Sequence, residues 1–142
     1  MNKYMKEAIK EAKKAEKIGE MPIGAVIVLN EKIISRGYNK KESLKDVSKH
    51  AEMIAIQRAC KKIGDWRLNK CSIYITMEPC IMCMGAIVEA RIENIICGIE
   101  NTKSNHLNKK IIKNYNINIK YGIQTQEITD IMNRFFKLLR NR

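Results

Sequence analysis

The chain has 142 residues, the length of one domain, and 45% of them are hydrophobic, which is enough for one buried core. No run of 18 apolar residues occurs and the N-terminus has no apolar signal core, so we expect neither a membrane span nor secretion but a cytoplasmic protein. The net charge of +12 is high for this length and indicates a polyanionic partner. Without a linker or repeat, the chain is interpreted as a single domain over 1–142.

Hydrophobic periodicity predicts alternating helices and strands along the chain. Gly19 and Gly64 are expected to end the first two helices, and Asn30-Glu31 is expected to be a tight turn between two strands. Residues 103–116 are rich in Lys and Asn and are left unassigned. The predicted elements are helices over 3–18, 50–62 and 80–90 and from residue 125, strands over 25–29, 32–38, 71–76, 95–99 and 117–121, and a loop over 39–49.

The order of these elements predicts an α/β fold. Strand and helix alternate from residue 50 onward, which favours a mostly parallel sheet with helices on both faces, in a three-layer α-β-α arrangement. The antiparallel hairpin over 25–38 makes the five-stranded sheet mixed. In such sheets, sites lie at the carboxyl ends of strands, where the following helices begin.

Two short segments with metal-ligand chemistry fall at such helix starts. The first is His50-Ala51-Glu52, and the second is residues 79–83, which read Pro-Cys-Ile-Met-Cys. Cys80 and Cys83 lie three residues apart on one helical face, so both sulfurs can reach a single ion. One His and two Cys make three zinc ligands, the number found in catalytic rather than structural sites. Zinc makes hydroxide available near neutral pH, and Glu52 can then move protons as general acid and base.

These residues match the His-x-Glu and Pro-Cys-x-x-Cys signature of zinc deaminases. The chain resembles the cytidine-deaminase-like zinc deaminase superfamily and, within it, the bacterial tRNA-specific adenosine deaminase (TadA type) family. The segments that carry the resemblance are Met21–Val26, Asn39, His50–Ile56, Gly64–Leu68, Tyr74–Ala86 and Phe135–Arg140.

The resemblance implies a cytidine-deaminase-like fold and a set of residue roles. His50, Cys80 and Cys83 would bind one Zn²⁺ per chain, and Glu52 would shuttle protons. Asn39 would contact the base through its amide, and the backbone of Ala51 would also meet the base. The substrate would be the wobble adenosine of a tRNA anticodon stem-loop, converted to inosine with release of ammonia. The family works as a homodimer in which both subunits contribute to the RNA surface.

The chain departs from the family pattern in two segments. The Pro that usually follows Asp before the His segment is replaced, since the chain reads Asp46-Val47. The Gly-rich loop after the fourth strand is absent, and residues 100–110 read Glu-Asn-Thr-Lys-Ser-Asn-His-Leu-Asn-Lys-Lys. Because that loop lies near the RNA in the family, the resemblance supports the deamination chemistry more strongly than it supports the identity of the substrate.

Other interpretations stay open at this point. A free base or nucleoside, guanine first, is the alternative substrate, because guanine deaminases share the His-Ala-Glu segment. A zinc-stabilised RNA-binding module without catalysis is the third, although it would have no need of Glu52. A structural zinc site would need a fourth ligand, for which the chain offers Cys60, Cys71, Cys97 and His106.

The excess charge lies away from the chemistry. Residues 50–102 carry six basic and six acidic side chains, whereas residues 103–142 carry nine basic and two acidic side chains. The C-terminal helix is therefore a candidate RNA contact, with ordinary solvated surface as the alternative.

Overall fold

The computed structural model describes residues 2–141, so Met1 and Arg142 of the predicted domain lie outside the described residues. Its elements are α1 (Lys3–Lys17), β1 (Gly24–Leu29), β2 (Lys32–Tyr38), α2 (Lys41–Leu44), α3 (Ala51–Ile63), β3 (Ser72–Met77), α4 (Ile81–Glu89), β4 (Asn94–Ile99), α5 (Asn105–Asn114), β5 (Asn118–Lys120) and α6 (Thr125–Arg140). Within residues 2–141, no helix is both long and apolar enough to cross a membrane.

The five strands form one mixed sheet in the order β2-β1-β3-β4-β5. Strand β1 runs antiparallel to both β2 and β3, while β3, β4 and β5 run parallel. The predicted five-stranded mixed sheet is therefore confirmed. The parallel half places the carboxyl ends of β3 and β4 at one edge, together with the start of β1.

Side chains that alternate along β1 divide the core into two layers. Ala25 and Ile27 pack with apolar side chains of α3 and α4. Val26 and Val28 point to the opposite face and pack with α1 and α6. Since successive strand residues point to opposite faces, a strand that is apolar throughout serves both layers. The predicted three-layer α-β-α arrangement is confirmed.

The local signals in the first half of the chain agree with the structure. Asn30 and Glu31 have φ values of 51° and 63°, the left-handed pair that a tight two-residue hairpin turn needs. Gly19 and Gly64 also have positive φ, and each ends a helix as expected. The predicted element bounds differ from the observed ones by at most one residue here.

Two segments contain helices that the local pattern did not predict. The expected loop over 39–49 contains the single turn α2, and the unassigned stretch contains α5. The buried carboxylate of Glu20 accepts hydrogen bonds from the Ser43 N–H and hydroxyl and from the Glu42 N–H, so it caps α2 from a distance. Burial raises the pKa of Glu20, but these hydrogen bonds outweigh burial and leave it below its ordinary value.

Helix α3 rests directly on strand β2 at Gly37. A Cβ atom at Gly37 would lie 2.5 Å from the Ala51 carbonyl oxygen and 2.9 Å from the Ala55 nitrogen. We expect Gly37→Ala to lower the free energy of unfolding by about 1–3 kcal/mol, because the first turn of α3 must move. Urea unfolding of the variant would measure the loss.

The matched control is Gly85→Ala, inside α4. A Cβ there meets no heavy atom within 4 Å beyond its own helix backbone in the described part of the chain. Its expected effect is a gain of about 0.5–1 kcal/mol, as for other glycines in helix interiors. A Gly37→Ala variant as stable as the wild type would show that α3 does not depend on this contact.

Candidate active site

The starts of α3 and α4 bring the predicted ligands together. His50 and Cys80 are the N-cap residues of these helices, each with extended backbone dihedrals. Neither side chain makes a capping hydrogen bond, so both are available for other contacts. Cys83 lies one turn into α4 and is fully buried. The two helix N-termini therefore present their positive ends to one small volume, which favours thiolate over thiol.

Three ligand atoms meet in that volume. His50 Nδ1 lies 3.6 Å from Cys80 Sγ and 3.5 Å from Cys83 Sγ. All three atoms lie within 4.8 Å of one another, so they could hold one metal ion. A nitrogen and two sulfurs are a donor set compatible with zinc.

The remaining cysteines and His106 do not take part in this cluster. Within residues 2–141, no fourth His, Cys, Asp or Glu side chain joins His50, Cys80 and Cys83 in this cluster. Cys71 and Cys97 are buried thiols of the core. The arrangement therefore favours a three-ligand site over a four-ligand structural one.

The three ligand groups shift one another's pKa values. The hydrogen bonds from Cys83 and from His50 lower the pKa of Cys80 to about 3, against the effect of burial. The Cys80 hydrogen bond in turn raises the pKa of His50, and it also raises that of Cys83, where burial adds to the effect. A thiolate is thus already favoured at Cys80, which is the form that ligates a metal.

Glu52 lies beside the cluster in the first turn of α3. Its side chain is buried, with 3% of the residue exposed. Burial raises the pKa of Glu52 to about 7, and the negative charge of Cys80 acts in the same direction. A carboxyl group with such a pKa can both accept and donate a proton near neutral pH.

A cavity of about 440 Å³ opens in front of these residues. His50, Ala51, Glu52 and Asn39 all line it, so the predicted substrate contacts share one space with the predicted catalytic group. A second cavity, of about 260 Å³, adjoins it along His50 and Glu52 and is also lined by Cys80. Five of the six predicted site residues thus line these two cavities, and the sixth, Cys83, lies in the ligand cluster.

The structure adds cavity walls that the motifs did not indicate. Helix α6 contributes Phe135 and Leu139 to the first cavity and Phe136 to the second. Phe136 and Leu139 are exposed apolar residues on an otherwise amphipathic helix. Because their exposure is known only from the fold, no local sequence pattern marked them as cavity walls. The segment 101–103 forms another wall of the second cavity.

Asn39 is held in place by its own loop. Its Nδ2 donates to the Met21 carbonyl oxygen at 3.3 Å, and its Oδ1 accepts from the Lys41 N–H at 3.1 Å. One amide hydrogen and one oxygen lone pair remain for a ligand. The side chain is therefore oriented before any ligand arrives.

Comparisons with known proteins place this geometry in context. The family model for MafB19-like deaminases matches residues 1–140. A tRNA-specific adenosine deaminase from Bacillus subtilis (strain 168) is 42% identical over 98% of this chain and 90% of its own length.

Solved structures agree with that match. One from a study of A-to-I editing by tRNA:A34 deaminases at the wobble position has a TM-score of 0.84 and is 34% identical, over 90% of this chain and 97% of that one. The guanine deaminase from Bacillus subtilis has a TM-score of 0.68 and is 31% identical, over 100% of this chain and 96% of that one. The fold is therefore the cytidine-deaminase-like fold that was expected.

Proposed function

The chain belongs to the MafB19-like deaminase family, and we propose that it is a tRNA-specific adenosine deaminase that converts wobble adenosine to inosine. The observation that carries this function is the 42% identity to a tRNA-specific adenosine deaminase over 98% of the chain, together with Glu52 beside the His50, Cys80 and Cys83 cluster. The reaction adds water to the adenine ring and releases ammonia. A binding module without catalysis would not need a buried, proton-accepting Glu52.

We further propose that His50, Cys80 and Cys83 hold one Zn²⁺ per chain. The support is the close approach of one nitrogen and two sulfur ligands, with a thiolate already favoured at Cys80. When bound, zinc supplies Lewis-acid activation of water near neutral pH. Three protein ligands are the number found in catalytic sites of this metal.

Glu52 is proposed to move the protons of the reaction. Its carboxylate accepts a proton from the attacking water as the new C6–O bond forms. That proton passes to the ring nitrogen N1, and Glu52 then carries the proton of the new C6 hydroxyl group to the exocyclic nitrogen. The C6–N bond breaks, neutral ammonia leaves and the C6 carbonyl of inosine forms. Burial keeps bulk water from this carboxyl group, and its raised pKa suits both directions of transfer.

The target base is proposed to enter the cavity in front of Glu52. Asn39 offers one amide hydrogen and one lone pair, which matches the mixed donor and acceptor pattern of an adenine edge. The backbone of Ala51 lies on the same wall, and Phe135 and Leu139 supply apolar surface. Deaminases read a flipped-out base by such polar contacts combined with apolar packing.

The partner is proposed to be the anticodon stem-loop of a tRNA, bound by a cytoplasmic homodimer of a single deaminase domain. Lys137 and Arg140 are exposed at the end of α6, close in sequence to the cavity wall residue Leu139. Exposed large apolar residues support a protein interface. Ile81 lies between the two Cys ligands in sequence and is 56% exposed, and Trp66 is 51% exposed.

A substrate panel tests the function directly. We expect inosine to form on an anticodon stem-loop with adenosine at the wobble position, and no turnover of free guanine, cytidine or adenosine. The same stem-loop with guanosine at that position is the matched control and should not react. Liquid chromatography of nuclease digests would measure the products.

Guanine is the one competing substrate with a specific observation behind it. The guanine deaminase structure that is 31% identical to this chain shares its fold over the whole length. Turnover of guanine without reaction of the stem-loop would establish that alternative. Binding of the stem-loop with no turnover of any substrate would instead establish a non-catalytic RNA-binding protein.

A further inference from the structure

The segment that replaces the family's Gly-rich loop carries unneutralised positive charge. Residues 101–126 contain five lysines and no acidic residue. All five lysines are exposed, and none of them takes part in an ion pair within the described chain. The lysines are Lys103, Lys109, Lys110, Lys113 and Lys120.

Part of this charge forms a stripe that runs along α5. His106, Lys110 and Lys113 follow one another at helical spacings of four and three residues, and Lys109 lies beside them. All four side chains are exposed, while Asn108 points inward and is fully buried. We call Lys103, Lys109, Lys110 and Lys113 the basic stripe.

The basic stripe begins at the second cavity, which adjoins the cavity proposed to hold the base. Lys103 lines the cavity that His50, Glu52 and Cys80 also line. The stripe then continues along α5, away from that cavity. The helix rises by about 1.5 Å per residue. A polymer whose target unit occupies the cavity would therefore meet the stripe with its neighbouring units.

A buried polar network holds α5 against the start of the metal-ligand helix. The carboxylate of Glu78 is 2% exposed and accepts hydrogen bonds from Asn105 Nδ2 at 3.0 Å and from Asn108 Nδ2 at 2.9 Å. The Tyr121 hydroxyl donates to it at 3.1 Å. The Pro79 carbonyl oxygen accepts from Asn108 Nδ2, also at 2.9 Å.

The network determines how α5 is presented to a ligand. Glu78 and Pro79 come immediately before the ligand Cys80, so α5 is oriented relative to the cluster by buried hydrogen bonds. Breaking such bonds would leave a buried carboxylate without partners, which is costly. The stripe is therefore presented on a rigid element, and little ordering is needed when a ligand binds.

We propose that the basic stripe binds the sugar-phosphate backbone of the RNA strand that flanks the target adenosine. This inference rests on the proposed function, because it assumes that the target lies in an RNA chain. Exposed lysines that lie outside ion pairs, in a segment that begins at the second cavity and has no acidic residue over 101–126, suit repeated phosphates better than one small anion. Contacts to phosphates carry no sequence information, so the stripe contributes affinity and register rather than base choice.

The test compares two variants that each remove three positive charges. The first is the triple variant Lys109→Gln, Lys110→Gln and Lys113→Gln. The control is Lys3→Gln, Lys6→Gln and Lys32→Gln, whose exposed lysines lie on α1 and at the start of β2, beside the Asn30-Glu31 turn. Thermal unfolding shows whether both variants fold.

We expect the stripe variant to bind full-length tRNA on the order of tenfold more weakly. The slope of log Kd against log[KCl] should be smaller by about 2–3 than in the wild type. Its single-turnover rate at saturating tRNA should match the wild type, because no stripe variant side chain lines the cavity with Glu52. The control variant should change neither the affinity nor the slope.

Equal affinity and slope in the stripe variant and the wild type would overturn the inference, as would weaker binding with an unchanged slope. Binding and turnover are read separately. A wild-type protein that binds tRNA but does not deaminate it would count against the proposed function, while the salt slope would still decide the role of the stripe. Equal losses in the stripe and control variants would also overturn it, since a diffuse charge effect would then explain both.

Discussion

Replacing Glu52 with Gln should lower kcat for inosine formation by about 10²–10⁴-fold, the range that general acid-base catalysis contributes. Gln has the shape of Glu but can neither accept nor release the proton that the reaction moves. Glu52 is buried beside the ligand cluster and its pKa is raised to about 7. Bulk water therefore cannot easily take over its role in proton transfer. The zinc content should stay unchanged, because Glu52 supplies none of the three clustered ligand atoms.

Single-turnover assays on the anticodon stem-loop, with elemental analysis of the same samples, would measure both quantities. Glu89→Gln, at the exposed end of α4, is the matched control and should leave kcat and zinc unchanged. Substantial turnover by the Glu52→Gln variant would refute the proposed proton transfer. Loss of zinc together with activity would show instead that Glu52 supports the metal site.

Replacing Cys83 with Ala should remove the metal and the activity together. We expect bound zinc to fall from about one per chain to below about 0.1, and inosine formation to fall by at least about 10³-fold. The reason is that Cys83 Sγ lies 3.5 Å from His50 Nδ1 in the cluster and is buried, so another side chain cannot take its place.

Cys60→Ala is the control for this substitution. Cys60 is a free, partly buried thiol whose sulfur contacts the Trp66 carbonyl oxygen at 3.5 Å, and it is not part of the cluster. It should retain both zinc and activity. A Cys83→Ala protein that is free of zinc yet fully active would remove the metal from the mechanism.

The residues proposed for catalysis could be grouped from the sequence because their signals are local. Cys80 and Cys83 are three residues apart on one helix, and His50 and Glu52 are two residues apart at the start of another. Such spacings specify a shared direction without knowledge of the rest of the fold. The hairpin turn at Asn30-Glu31 and the helix end at Gly64 are local in the same sense.

The two missed helices depend on partners that are distant in sequence. The turn α2 is capped by Glu20, which lies more than twenty residues before it. Helix α5 is held by Glu78, which accepts hydrogen bonds from Asn105 and Asn108. In the sequence, nothing distinguishes these two residues from ordinary polar surface residues. Helix α2 is a single turn, and Lys and Asn dominate the sequence of α5, so short-range patterns did not assign either segment.

The high positive charge of the chain could be assigned to a segment from the sequence, but to a surface only from the fold. Composition indicated a polyanionic partner, and the count by segment placed the excess after residue 102. The sequence alone thus indicated the proposed ligand set, the proposed proton carrier and the order of the helices and strands other than α2 and α5, because each depends on neighbours a few residues apart. The tertiary structure decided which walls enclose the cavity, how Asn39 is oriented and where α5 directs its lysines, because those features depend on hydrogen bonds and packing between segments that only folding brings together.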